Sequence, residues 1–408
     1  MKDGKSPALI LPVILLLAAS AATAEDWPNF RGPNYNGISQ EKDFYWEWNI
    51  RKPKLLWKVN VGIGFSSVAV SFGKVFTLGN LKDTDHVMAF NEANGKLAWS
   101  YTYPCAAGDL SNRPGPRATP TVAGDNVYTL SKLGHLLCLN FDTGQLVWSK
   151  NLVSNFGGNY PAWGFTGSPL VVGNLIITET GNEKGRSVIA LNRLNGNLVW
   201  ANGNDRPGYA SPVPFKLGTY DGFAVFSGQA ITGRLLSNGR PVWRQNWKTT
   251  DDVNAASPII WEDKVFVSSG YGSGGALIRF GNNYSRAIWS NRYMRNKHTS
   301  CVLIGSHLYG FDEKELCCMD IANGAVKWRS KLYGAGSLTA AGDKLIVLAD
   351  SGLLAVVEAS PWQFKELSRV QATAGKDIWT PPVLANGAIY VRNQGQLLVV
   401  DAGRGANK

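Results

Sequence analysis

One eleven-residue pattern recurs along the chain, and no other feature limits its fold as strongly. AFNEANGKLAW ends at Trp99, CLNFDTGQLVW at Trp148, ALNRLNGNLVW at Trp200 and CMDIANGAVKW at Trp328. Each copy opens on a small residue (Ala89, Cys138, Ala190, Cys318), carries Asn or Asp two positions later, then Gly95, Gly144, Gly196 or Gly324, and closes on Trp. A degenerate copy runs from Gly233 through Gly239 to Trp243, and another from Arg279 to Trp289 with Ser285 where glycine is expected. Self-similarity of this kind is read before any single motif, because a repeat sets the whole architecture. The glycine permits a turn with positive φ, Asn or Asp bonds the local backbone, and Trp brings a large flat surface to bury. A ring of such tryptophans is expected to cement one repeat to the next.

A second signature opens a strand in each unit. It reads Thr119-Pro120, Ser168-Pro169, Ser211-Pro212, Ser257-Pro258, Ser300-Cys301, Ser337-Leu338 and Thr380-Pro381, with Ser66-Ser67 heading a first unit that ends at Trp99. An apolar run, a turn such as Ala123-Gly124-Asp125-Asn126 and a second apolar strand such as 127–130 follow. Each unit therefore holds four short strands. Spacings of about 38 to 53 residues match propeller blades and exclude helical solenoids, whose units are shorter and show helical periodicity. The fold class is all-β, an eight-bladed β-propeller of four-stranded antiparallel blades. The last unit ends one strand short after 397–401, while 55–59, Leu-Leu-Trp-Lys-Val, is a spare strand near the N-terminus. Pairing the two closes the ring and removes exposed edges.

Composition agrees with that reading. With 44% hydrophobic and 17% charged residues, the 408-residue chain can bury a large core, and 45 glycines with 15 tryptophans suit many short strands joined by turns. Lys2 and Lys5 precede an apolar stretch over 8–19, and Ala22-Thr23-Ala24 offers a small-x-small cleavage site, so 1–24 reads as a signal peptide. An extension over 25–50, the propeller over 51–402 and a tail over 403–408 complete the organisation. The mature protein is expected in the periplasm or outside the cell, and not lipidated, because no cysteine stands near the cleavage site. Cleavage lowers the formal charge from +11 to +10. Lys and Arg are scattered without a basic run, which argues against nucleic acid as a partner. The five cysteines, 105, 138, 301, 317 and 318, have no regular spacing and are expected to pack as small apolar residues.

The recurring A-x-[DN]-x-x-[TN]-G-x-x-x-W pattern resembles the tryptophan-docking motif of quinoprotein alcohol dehydrogenases and of BamB-type outer-membrane assembly proteins, over roughly 52–402. The opening Asp26-Trp27-Pro28-Asn29-Phe30-Arg31-Gly32-Pro33, with Gly37-Ile38-Ser39 after it, is similar to the start of secreted pyrroloquinoline-quinone-like (PQQ-like) repeat proteins. The resemblance leaves three functions open. One is a non-catalytic binding or scaffolding propeller, in envelope or outer-membrane protein assembly. The second is a PQQ-dependent alcohol or sugar dehydrogenase, with PQQ and calcium as cofactors. The third is a carbohydrate or cell-wall binding module. Partners are accordingly an envelope protein or a polysaccharide, with the chain itself a monomer.

The dehydrogenase reading needs a carboxylate base, oxygen ligands for the metal and cationic clamps for the cofactor. In the best-known branch an adjacent cysteine pair lies beside the cofactor. Cys317-Cys318 is adjacent, but it lies within one strand, where successive side chains point to opposite faces. The best metal candidate is the run 251–254, Asp-Asp-Val-Asn. No histidine cluster, GxSxG element or complete phosphate loop occurs, and GYGSGG over 270–275 reads as a strand-connecting turn. Loops before the opening signatures converge on one face of a propeller. The residues expected to line that funnel are Arg117, Trp163, Tyr209, Asn254, Lys297, His298 and Trp379, with Asp109, Asp205, Asp251, Asp252 and Asp377 in the same loops.

Overall fold

A computed structural model describes residues 25–108 and 114–403. Eight sheets are formed, each with four antiparallel strands in meander order. The first blade comprises Ala69–Ser71, Lys74–Leu81, Thr84–Asn91 and Leu97–Pro104. Blades 2 to 8 begin with Thr121–Ala123, Leu170–Val172, Val213–Leu217, Ile259–Trp261, Val302–Ile304, Gly336–Ala341 and Val383–Ala385. Neighbouring blades meet through these opening strands, which stand around the central axis. The described residues contain no α-helix and one 3-10 turn, Thr250–Asp252.

The ring closes as the spare strand requires. Leu55–Asn60 pairs antiparallel with Gln396–Asp401, placing Trp57 opposite Val399 and supplying the fourth strand of blade 8. From there the Trp57 indole donates to the carbonyl of Glu92 at 2.7 Å, and Tyr390 donates to the Glu92 carboxylate at 2.7 Å, which ties blade 8 to blade 1.

The tryptophans do join the blades. Trp99 donates to the carbonyl of Phe141 in blade 2 at 2.9 Å, Trp148 to Arg193 at 2.9 Å, Trp200 to Leu236 at 2.9 Å, Trp289 to Ile321 at 2.9 Å and Trp328 to Ser360 at 2.8 Å. Each indole lies over the turn of the following blade. At Gly144, with φ of 71°, a Cβ would stand 2.6 Å from the Trp99 ring, so both the backbone and the packing require glycine. Two interfaces depart from the rule. Where Ser285 replaces the turn glycine, Trp243 stacks instead on Phe280, with centroids 4.7 Å apart, and its buried Nε1 has no hydrogen-bond partner. In blade 7 the Trp position, opposite Val356, is held by Ser368. There the N-terminal extension supplies the missing bulk: Phe44 and Trp48 are buried between Ile346, Leu354 and Val356 of blade 7 and Leu384, Ile389 and Val400 of blade 8.

The opening hydroxyls have a structural purpose that the pattern alone does not reveal. The N–H of Ser67 donates to Thr119 Oγ1 at 3.3 Å, that of Thr119 to Ser168 Oγ at 2.9 Å, and that of Ser168 to Ser211 Oγ at 2.9 Å. Ser257 N–H donates in the same way to Ser300 Oγ at 2.9 Å. Ser or Thr at this position thus satisfies a backbone donor of the preceding blade where the strands crowd the axis.

The five cysteines are buried free thiols, with no disulfide. Cys318 packs with Trp328 and the residues facing blade 7, whereas Cys317 packs with Met294 and the residues facing blade 5. Alternation along the strand sends the adjacent pair to opposite sides of blade 6.

Candidate functional site

Strand direction decides what reaches the two ends of the axis. Opening strands run from one end, the mouth, to the other, the floor, so the mouth receives the loops entering each blade and the turns between second and third strands. A cavity of about 750 Å³ follows the axis between the two ends. Its walls carry the opening hydroxyls of Ser67, Thr119, Ser168, Ser211, Ser300, Ser337 and Thr380.

Two aromatic groups flank the mouth. Phe65, entering blade 1, stacks on Trp379, entering blade 8, with centroids 4.7 Å apart. Trp379 stacks in turn on His298, entering blade 6, at 4.1 Å. His298 meets Tyr271 edge-on at 6.4 Å, and the Lys297 ammonium sits 4.7 Å above the Tyr271 ring. On the opposite side, Trp163 and Tyr209, entering blades 3 and 4, pack at 5.8 Å, and Arg117 donates to the Trp163 carbonyl. Burial pushes the Tyr209 phenol up to about 12, so it stays neutral. The mouth also carries Glu313, Lys314, Asp350 and Asp377. Burial and the neighbouring Asp377 raise the Asp350 carboxyl above its ordinary value.

Six of the seven residues expected from the sequence line this cavity: Arg117, Trp163, Tyr209, Lys297, His298 and Trp379. Asn254 does not. Its side chain is fully buried, donating to the Ser227 carbonyl and accepting from Ser269 and Thr249, so it braces blades 4 and 5 beneath the mouth. The 251–254 run does not gather around a metal either. Asp252 is held by the Arg206 guanidinium at 2.6 and 3.0 Å, and Asp205 by Arg244 at 2.7 Å. Asp109 lies outside the described residues. The turn 270–275 connects two strands as expected, but it also carries Tyr271 into the mouth. Phe65, Tyr271, Glu313 and Asp350 escaped sequence reasoning, although the alternation of strand direction brings the second-to-third turns to the same end.

The floor is made differently. Trp27 forms a two-way backbone bridge with Val70 of blade 1, and Val122 N–H of blade 2 donates to the Pro28 carbonyl. Tyr35 donates to Val171 of blade 3 at 3.4 Å, Arg31 to Cys301 at the start of blade 6 at 2.8 Å, and Asn386 of blade 8 to Asp26 at 3.3 Å. Ile38–Ser39 adds a parallel strand to Gly336–Ala341 of blade 7. One segment thereby bonds to six blades and crosses the far end of the axis, with Trp27, Phe30, Arg31 and Gly37 facing the cavity.

The second functional reading implies PQQ and calcium, which need oxygen ligands and cationic clamps. No three His, Cys, Asp or Glu side chains among the described residues are grouped so as to hold a metal ion. The adjacent cysteines lie inside blade 6 and do not line the cavity.

Comparison with known proteins gives concordant results. Residues 83–330 match the family model described as outer membrane protein assembly factor BamB. A protein of that description from Shewanella oneidensis is 24% identical over 376 residues, covering 85% of this chain and 89% of the relative. Among solved structures, BamB from Moraxella catarrhalis superposes with a TM-score of 0.61 at 16% identity, over 85% of this chain and 97% of that one. Quinohemoprotein alcohol dehydrogenase from Comamonas testosteroni gives 0.68 at 13% identity, over 96% of this chain and 82% of that one. These structural likenesses establish the shared propeller fold.

Proposed function

The chain belongs to the family described as outer membrane protein assembly factor BamB, whose model matches more than half of it, and from that premise we propose a non-catalytic binding propeller whose mouth docks a segment of an envelope protein. The observation that carries this reading is the pair of aromatic groups on opposite sides of the mouth, Phe65–Trp379–His298 and Trp163–Tyr209, with Arg117 and Lys297 beside them. Aromatic and Arg side chains are the types that anchor recognition, and stacking fixes them in place before a partner arrives. In this reading 1–24, which lie outside the described residues, are a signal peptide, and the mature protein starts at Glu25 and works in the periplasm or outside the cell, as a monomer without a lipid. No helix among the described residues is long and apolar enough to cross a membrane.

Photo-crosslinking tests the reading. A benzophenone side chain replacing Tyr271 at the mouth should give an adduct with an envelope protein, whereas the same group replacing Tyr220, exposed at the floor rim, should not. Combining Arg117→Ala with Trp379→Ala should remove the adduct and leave Tm nearly unchanged. Equal adducts from both positions would overturn the reading. So would stoichiometric uptake of PQQ and calcium with dye-coupled oxidation of an alcohol, or an adduct formed only with polysaccharide.

A further inference from the structure

At the floor of the cavity stands a charge that no acidic side chain among the described residues balances. Arg31 is 5% exposed and faces the cavity. Its Nε donates to the Tyr35 carbonyl at 3.3 Å, and its Nη2 to the carbonyls of Asn36 at 2.7 Å and Cys301 at 2.8 Å. Neutral carbonyls hold the guanidinium in place, and among the described residues Nη1 donates to no protein atom. Gly37 makes room for it, since a Cβ there would stand 3.3 Å from the guanidinium carbon.

None of the described neighbouring groups serves as a counter-ion. Burial lowers the Arg31 pKa to about 10, which keeps it charged at neutral pH, and no carboxylate contributes to its electrostatic surroundings. The Cys301 thiol is pushed up to about 12 by burial even with Arg31 beside it, and burial pushes the Tyr35 phenol up to about 12 as well. Both are neutral at pH 7. The cavity's acids, Glu313, Asp350 and Asp377, belong to the mouth loops, where Arg117, Lys297 and Lys314 accompany them. A buried charge without a partner is destabilising, and a bound anion would offset that cost.

The wall beside Arg31 adds a donor. Ser300 uses its oxygen to accept the backbone N–H of Ser257 from the preceding blade, which leaves its hydroxyl proton to donate to a guest. Ser300 directly precedes Cys301, whose carbonyl Arg31 holds. A single guanidinium balances a single negative charge, so a monoanion fits where a doubly charged phosphate would bring an uncompensated charge into the interior. Trp27 and Phe30 add apolar surface next to it.

We propose that Arg31 and the hydroxyl of Ser300 form an anion site at the floor of the axial cavity, and that its ligand is the carboxylate of an organic acid. The acid is either a free small molecule or the C-terminus of a chain reaching down the channel, and the shared chemistry is one carboxylate on an apolar stem. This site stands apart from docking at the mouth.

The test is calorimetric titration of the full mature protein at constant ionic strength with benzoate and with benzamide, its neutral counterpart. Benzoate should bind at one site per chain, at least tenfold tighter than benzamide and tighter than chloride. N-acetyl-phenylalanine and its amide form the second arm. Tighter binding of that acid than of benzoate identifies a chain end as the source, and the reverse identifies a free acid. Arg31→Gln should abolish the preference for acid over amide, while Arg240→Gln, at an exposed arginine, should keep it. Equal binding of acid and amide, no binding of either, or a folded Arg31→Gln protein that keeps the preference would each overturn the proposal. Should Arg31→Gln fail to fold, the wild-type acid and amide titrations decide alone. Loss of the mouth crosslink with the acid preference intact would count against docking only.

Discussion

The two ends of the axis are built on different plans. At the mouth, side chains from separate loops meet, and much of what they offer is partly exposed: Tyr271 is 51% accessible. At the floor, one continuous segment crosses the ring, bonds to six blades through its backbone and its side chains, and buries Trp27, Arg31, Phe44 and Trp48. Backbone bonds shared by one segment break together, whereas contacts between separate loops can be lost one at a time. The floor should therefore govern stability, and the mouth recognition.

Removing 25–50 from the mature protein is the most severe way to challenge that contrast. It strips the floor and also empties the interface between blades 7 and 8, where two buried aromatics at about 3–5 kcal/mol each are lost. Calorimetry should show Tm lower by more than about 10 °C or no cooperative transition. An unchanged transition would mean that the floor is an ornament.

Trp48→Ala isolates one part of that effect. Because Ser368 leaves the usual Trp position empty, nothing else fills the space, and a loss of about 3–5 kcal/mol is expected in denaturant titration. A cost under about 1 kcal/mol would show that blades 7 and 8 collapse onto each other.

The indole hydrogen bonds sharpen the comparison further. Trp99→Phe removes a bond to the Phe141 carbonyl, whereas Trp243 has no such bond to lose. Trp99→Phe should therefore cost about 1 kcal/mol more than Trp243→Phe. Equal costs would assign the tryptophans to packing alone.

Beneath the mouth, Glu179 gives a smaller, pH-dependent effect. It is buried between blades 3 and 4, and burial first, then the nearby Asp205, push its carboxyl up to about 8, against a partial pull downward from Arg234 and the Gly208 backbone. The folded state therefore holds a proton that the unfolded chain releases near 4.5. This contribution is fully present below that value and is lost as pH rises through about 8. Glu179→Gln should flatten the decline of Tm between pH 5 and 8 and make the protein more stable than wild type at pH 8.5. A decline that survives in the variant would assign it to another group.

Trp379→Ala should have the smallest effect on stability, within about 1 kcal/mol, because its ring is half-buried among other mouth side chains. A loss as large as that of Trp48→Ala would erase the distinction between the two ends.

Blade number, the closing strand and the interblade tryptophans were legible in the sequence because they rest on local, periodic signals: a turn glycine, an indole four residues later, a hydroxyl heading each unit. One irregular interface was marked by Ser285, whereas the missing Trp copy before 380 went unread until Ser368 was seen at its position. Most of the mouth followed from the same logic, since loops before inner strands must converge on the axis. Asn254 was misplaced because position along a loop does not say whether a side chain faces the cavity or the blade beneath it.

The floor had no such signal. The opening segment could be recognised as a motif, yet nothing periodic says that it crosses the axis, that Phe44 and Trp48 fill the place of a missing tryptophan, or that Arg31 stands without a counter-ion among the described residues. Those facts depend on residues hundreds of positions apart being brought together, as Arg31 is to Cys301. The repeat determined the ring by itself, because each unit carries its own turn and its own contact with the next. What fills the ring was decided only when closure brought both ends of the chain to one axis and left a single segment to cover it.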